Sequence, residues 1–167
     1  MKTIAILVDG KISSKPVKNT TGWKKRRAVR AIIFDKQNRI PLLWVSKQSF
    51  HKIPGGGIEK GENIKKALKR EIMEEVGIKI KRIKPLGEII EHHIKEKYQQ
   101  NSYCFTALVS KKIGDPSFSE FEKSTGFELK WYSKNEALEV IKKDNPAEEI
   151  SKILNFRDYL FLKKAVS

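Results

Sequence analysis

The segment from Asn63 to Gly77 constrains the architecture of this chain more than any other. Its apolar residues Ile64, Ala67, Leu68, Ile72 and Val76 recur at spacings of three and four, the helical period, and Gly77 supplies a C-terminal stop. On that helix Glu71, Glu74 and Glu75 stand at i, i+3 and i+4, so three carboxylates share one face while Lys65, Lys66 and Lys69 point to roughly the opposite side. Glu71 and Glu75 form a like-charge pair that costs a few tenths of a kcal/mol, with no compensating lysine beside it on the helix. A cation is therefore expected at that face. Clustered oxygen donors without His or Cys favour Mg²⁺ or Mn²⁺ over Zn²⁺. Arg70 lies one turn before Glu74 and is placed to hold that carboxylate.

The flanking sequence predicts strands on both sides of this helix. Ala28 to Phe34 and Ile40 to Val45 are β-rich runs separated by Asp35 to Arg39, which reads as a hairpin with Pro41 on an open edge. Pro54 and Gly55 to Gly57 then break the chain. Further β-rich runs cover Ile78 to Ile83, Leu86 to Ile94 and Ser102 to Val109, and a short one ends at Trp131 and Tyr132. Ser133 and Glu136 form a capping box that opens a helix through about Ile141, and Asn145 with Pro146 opens a last helix over residues 146–164. Strands around one central helix, closed by C-terminal helices, predict an α/β fold of layered elements. No repeat or long linker divides the chain, so residues 1–167 are expected to form one domain. Its folded part is expected to begin near Arg27, behind a basic, solvated N-terminal extension of residues 1–27.

Charge narrows the partners. The 35 Lys and Arg outnumber the 20 Asp and Glu, giving a net charge of +15. A field of that sign attracts nucleotides, phosphates and nucleic acid. No apolar run approaches the roughly 18 residues of a membrane span, so no membrane partner is expected. The single Cys104 can form no internal disulfide, which fits a reducing, cytoplasmic location. Composition and motif spacing specify no oligomeric state.

The stretch GGIEKGENIKKALKREIMEEVGI, residues 56–78, resembles the Nudix box of the Nudix hydrolases, G-x5-E-x7-R-E-U-x-E-E-x-G-U with U a bulky aliphatic residue. Gly56, Glu62, Arg70, Glu71, Ile72, Glu74, Glu75, Gly77 and Ile78 fill every fixed position. The resemblance implies a Nudix-like α/β/α sandwich with a mixed central β-sheet. It also implies a metal-dependent pyrophosphohydrolase in which water attacks a phosphoanhydride held by divalent cations. By the same resemblance Glu74 and Glu75 are metal ligands, Glu71 is a ligand or the base that activates water, and the Gly56 carbonyl reaches a metal. Glu62 and Arg70 keep loop and helix in register.

Many members of that family use a further carboxylate outside the box. Glu128, three residues before Trp131, occupies such a place, with Glu120 and Glu122 as competitors. His51, close to the glycine loop, is a candidate substrate contact. So is Arg27, the end of a basic patch that runs Trp23, Lys24, Lys25, Arg26, Arg27. Trp44, Phe50 and Tyr103 are candidates for stacking on a base, whereas His92 and His93 alternate along a strand and cannot act as a pair. The implied substrate is a nucleoside di- or triphosphate derivative. The 5′ end of an RNA is the alternative that would use the basic patch, and a catalytically silent nucleotide-binding or regulatory protein is the alternative from another class.

Overall fold

The computed structural model describes all 167 residues. Its strands are β1 (Thr3–Val8), β2 (Lys11–Ser13), β3 (Lys24–Phe34), β4 (Ile40–Val45), β5 (Phe50–Lys52), β6 (Ile78–His93), β7 (Tyr98–Lys112) and β8 (Phe127–Tyr132). Its helices are α1 (Ile64–Val76), α2 (Glu120–Thr125), α3 (Lys134–Lys143) and α4 (Glu149–Val166). A five-stranded mixed sheet runs in the order β2-β1-β6-β7-β3, with β1 parallel to β6, β3 parallel to β7, and β6 antiparallel to β7. A three-stranded antiparallel sheet runs β5-β4-β8.

The long apolar stretch of β3 reflects burial on both faces. Val29, Ala31 and Ile33 point into one core with Ala67, Leu68, Ile72 and Val76 of α1. Ile32 points the other way, into a core with Ala137 and Ile141 of α3 and Phe161 and Leu162 of α4. A mixed sheet between α1 on one side and α3 and α4 on the other is the α/β sandwich expected. Burying side chains such as Leu68 and Ile72 completely stabilises the fold by about 1.5–3 kcal/mol each.

Four expectations are corrected. β3 and β4 do not pair as a hairpin; they lie in different sheets. One edge of β3 is taken by β7, and the other by the glycine loop, where Ala31 N–H donates to the Pro54 carbonyl at 3.0 Å, Val29 N–H to Gly56 at 2.9 Å and Ile58 N–H to Arg27 at 2.9 Å. β4 has no free edge to join and pairs with β5 and β8 instead. The N-terminal extension is not a solvated arm, because β1 adds to β6 and carries fully buried Leu7 into the core, and Lys24 to Arg27 begin β3. The last helix spans 149–166 rather than 146–164; Pro146 precedes it as part of the connection. Finally, α2 is an additional helix that apolar periodicity does not signal, although Ser119 and Glu122 form a capping box and Gly126 ends it in the left-handed conformation.

No helix is long and apolar enough to cross a membrane.

Candidate active site

Helix α1 is fixed at both ends by local chemistry. The Asn63 side chain accepts the Lys66 N–H at 2.9 Å, and Gly77 closes the helix at φ 71° with its N–H on the Met73 carbonyl. Its apolar stripe lies under the sheet. Glu71 and Glu75, at the border of that stripe, are carried into the interior, at 9% and 1% exposure, while Glu74 stays half exposed.

The glycine loop lies directly over these carboxylates. Gly55 has φ 136°, and a Cβ there would fall 2.1 Å from the Val29 carbonyl oxygen, so only glycine can run this close to β3. Its N–H donates to Glu75 Oε2. A Cβ on Gly56 would stand 2.4 Å from Glu71 Oε2. The Gly56 carbonyl accepts from Val29 N–H, so in this structure the residue meets Glu71 through its missing side chain. Gly56→Ala is expected to displace the Glu71 carboxylate and lower kcat on the order of 10²-fold, with circular dichroism unchanged. Turnover equal to wild type in that variant would dissociate Gly56 from the site.

Arg70 is the organising cation. It donates to Glu62 through Nε at 3.1 Å and Nη2 at 3.0 Å, to the Gly57 carbonyl at 3.0 Å, and through Nη1 to Glu71 at 2.8 Å and Glu74 at 3.2 Å. Loop and helix are thereby kept in register. Lys52 Nζ, from β5, stands 3.4 Å from Glu75 Oε1 and supplies the relief that the helix itself lacks. Burial still dominates. It raises the Glu71 carboxyl above its ordinary value against the opposing pull of Arg70. It pushes Glu75 up to about 7 against Lys52 and the Gly55 N–H, with the Glu71 charge adding to the rise. No three acidic, His or Cys side chains converge as a ready cage. The donor set nevertheless fits a hard divalent cation: oxygen ligands only, on one face of one helix, with the Glu74 charge raising Glu71 and the Glu71 charge raising Glu75.

These features have counterparts in known proteins. The sequence model of the NUDIX domain matches residues 24–153. The chain belongs to the Nudix family. Mouse (Mus musculus) diphosphoinositol polyphosphate phosphohydrolase 3-alpha is 30% identical over 135 residues, covering 79% of each chain. Among solved structures, the mutator protein MutT from Bacillus halodurans is 26% identical, covers 81% of this chain and is covered over 82% of its own, with a TM-score of 0.59. The MutT NUDIX hydrolase from Burkholderia pseudomallei, 22% identical over 84% of this chain and 98% of its own, shares the fold at a TM-score of 0.59. This Nudix chain is thus a hydrolase of the class that cleaves pyrophosphate bonds, and enzymes of the family generally use divalent metals.

Two cavities meet at Ile150 in the first turn of α4. The smaller, about 270 Å³, is lined by Arg30, Lys52 and Arg157 together with Phe50, Phe121 and Phe127. The larger, about 760 Å³, is lined by both signs of charge, Lys24, Arg26 and Lys95 with Asp9, Glu96 and Glu149. Arg26 ties the larger cavity to the Nudix loop, since its Nη2 lies 3.1 Å from where a Gly57 Cβ would be. Lys52 ties the smaller one to Glu75.

Outside the box, the structure redistributes the candidates. Strand alternation sends Lys24 and Arg26 to the cavity and Arg27 to the opposite face, where its guanidinium lies over the Tyr103 ring at 5.7 Å. His51, between the cavity-lining Phe50 and Lys52, points away from the cavity. Its buried ring sits between Asp144 at 3.0 Å and the Tyr132 hydroxyl at 2.9 Å. Glu128 lies on the face of β8 opposite Phe127, whose ring underlies Lys52 at 4.6 Å, and it pairs with Lys130 at 3.2 Å. It is therefore turned away from the α1 carboxylates. Glu122 is used in the α2 capping box and Glu120 pairs with Lys123 at 2.8 Å. Phe50 does line the cavity, whereas Trp44 packs on His51 with ring centroids 4.7 Å apart. His92 and His93 are both buried on opposite faces of β6. The residues that sequence reasoning missed are Arg30 and Lys52, whereas Arg26 belongs to the basic patch already singled out. The signal that could have found Arg30 is parity: Lys24, Arg26, Arg30 and Ile32 share one face of β3.

Proposed function

We propose that this Nudix hydrolase cleaves a phosphoanhydride bond in a nucleoside di- or triphosphate derivative, with Mg²⁺ as cofactor and Mn²⁺ as its substitute. The observation that carries this reading is the placement of Glu75, buried between the Gly55 N–H and Lys52, whose ammonium also lines a cation-bearing, aromatic cavity. Glu71, Glu74 and Glu75 are the residues that would hold the metal, which when bound supplies polarisation of the phosphoryl oxygens and a more acidic water. Arg70 orients Glu71 and Glu74, and Glu71 serves as ligand or as acceptor of the proton of the attacking water. Lys52, Arg30 and Arg26 bind phosphate oxygens, and Phe50, Phe121 and Phe127 offer apolar and stacking surface to the group they carry. The location in this reading is the cytoplasm, consistent with a single, buried, unpaired Cys104.

Two other substrates have specific support. Similarity to diphosphoinositol polyphosphate phosphohydrolases favours a polyanion that would also occupy the Lys24, Arg26 and Lys95 cavity. The basic start of β3 favours the 5′ end of an RNA. A panel of nucleoside triphosphates, dinucleotides, ADP-sugars, diphosphoinositol polyphosphates and triphosphorylated RNA, with products identified by mass, decides among the three. Lys24→Gln with Arg26→Gln is expected to raise KM on nucleotides, whereas Lys25→Gln with Arg27→Gln, on the outer face, leaves it unchanged. A loss above tenfold confined to RNA in the outer-face pair, with a flatter salt dependence of about 0.7 per lost phosphate contact, would identify RNA as the substrate.

Metal dependence has its own test. Mg²⁺ at ten times its Kd is expected to stabilise the fold by about 1.4 kcal/mol, a rise in Tm of roughly 3–6 °C, because unfolding scatters the ligands. Glu71→Gln should reduce that rise, and EDTA should abolish turnover. An unchanged Tm with full activity in EDTA would remove the metal from the reaction.

A further inference from the structure

The smaller cavity contains an imbalance that hydrolysis at the α1 carboxylates leaves unexplained. Three cations line it, and two are matched: Arg157 by Asp158 at 2.8 Å and Glu91 at 3.4 Å, and Lys52 by Glu75 at 3.4 Å. Arg30 is 4% exposed, and its one hydrogen bond runs from Nη1 to the Val29 carbonyl at 2.9 Å. Its Nε has no partner, and no carboxylate lies within ion-pair distance of it. Burial first, and then the nearby Arg157, lower its pKa against the smaller opposing pull of the more distant Asp158 and Glu75. An unpaired buried charge is costly enough that native structures rarely keep one without a use.

A second unpartnered group lines the same cavity. Ser151 is 1% exposed and its Oγ has no hydrogen-bond partner. It lies in the first turn of the 18-residue helix α4, whose N-cap, Glu148, makes no side-chain cap bond. The first-turn N–H groups of a helix are donors that need an acceptor and favour negative charge. Guanidinium, hydroxyl, ammonium and helix N-terminus thus surround one space, a donor set suited to an anion.

We propose that the cavity walled by Arg30, Lys52, Ser151 and Arg157 is a phosphate subsite, which receives a phosphoryl group of the substrate other than the one under attack. The proposal rests on the hydrolytic reading above. Lys52 sets the distance, because its ammonium touches Glu75 and also lines the cavity, so a phosphate there sits one side chain away from the α1 carboxylates. Substrates carrying a phosphate beyond the scissile linkage would be preferred over those ending in an uncharged group.

The test uses the full chain in EDTA, where hydrolysis is silent, with inorganic phosphate titrated against KCl of matched ionic strength. Phosphate is expected to raise the wild-type Tm beyond the KCl control. Arg30→Met should weaken its affinity at least tenfold and Ser151→Ala about threefold. Ser151→Ala loses a hydroxyl that has no partner, so its Tm in KCl should equal or exceed that of wild type, and it carries the test alone if Arg30→Met fails to fold. With metal restored, phosphate should inhibit competitively, raising KM at constant kcat, and less so in the Ser151→Ala variant. Equal phosphate responses in all three proteins, or none in wild type, would overturn the subsite. Binding without competition would assign the site to free phosphate and overturn its role in the substrate complex. Because the EDTA titration requires no turnover, its failure is distinguishable from failure to find a hydrolysed nucleotide.

Discussion

Glu75→Gln is expected to lower kcat by two to three orders of magnitude, about 2.7–4 kcal/mol of transition-state stabilisation, at saturating divalent metal. The substitution keeps the shape of the side chain and an oxygen for the Gly55 N–H, and removes only the charge. That charge is the most confined of the three α1 carboxylates, at 1% exposure, with burial pushing its pKa up to about 7. The fold should survive, because an uncharged amide avoids the burial cost that the carboxylate bears, although Lys52 loses its partner. Glu74→Gln should also cost two or more orders of magnitude in turnover, since it removes another of the proposed charged ligands. Steady-state rates for both variants, with thermal melts in EDTA, check this; near-normal kcat in both would displace the chemistry from helix α1.

The largest stability effect is expected at a position that touches no substrate. Asp158 is fully buried on α4, accepts the Ile53 N–H at 2.8 Å and the Arg157 Nε at 2.8 Å, and thereby ties the last helix to the residue before Pro54 and the glycine loop. Asp158→Ala strands a buried guanidinium and a buried backbone donor. The expected loss is about 3 kcal/mol or more, a fall in Tm of roughly 6–12 °C. Asp158→Asn keeps the acceptor for Ile53 and should lose less. A drop below about 2 °C in the alanine variant would show that Glu91 alone neutralises Arg157. Below the transition, the alanine variant should also lower kcat, because Ile53 leads through two residues to the Gly55 N–H that fixes Glu75.

Features fixed by neighbours along the chain are legible in the amino-acid sequence. The period of α1, the Gly77 stop, the Ser133–Glu136 cap and the face shared by Glu71, Glu74 and Glu75 all follow from spacings under five residues, where helix geometry alone decides. The role of Arg70 as a holder of Glu74 follows for the same reason, and its contacts to Glu62 and Gly57 extend that role. The expected hairpin from Ala28 to Val45 does not form, because proximity in sequence does not decide which edge a strand joins. The glycine loop, stitched to β3 by three backbone hydrogen bonds, occupies the edge that β4 would have used. Glu128, His51 and Arg27 lie at suggestive sequence distances from the box, yet each points to the wrong face of its strand.

The proposed means of catalysis are written locally: one helix, three carboxylates, a glycine loop ahead of it and an arginine to orient them, all within residues 55–78. What faces those carboxylates is a property of the assembled sheets. Lys52 reaches Glu75 from 23 residues away, and Arg30 borders the same cavity as Ser151, in the first turn of the helix that begins at Glu149. The division arises from the two-residue period of strands: a single shift in pairing register or strand partner reverses which side chains enter the cleft, and that choice is made by buried area and backbone pairing across the whole sheet.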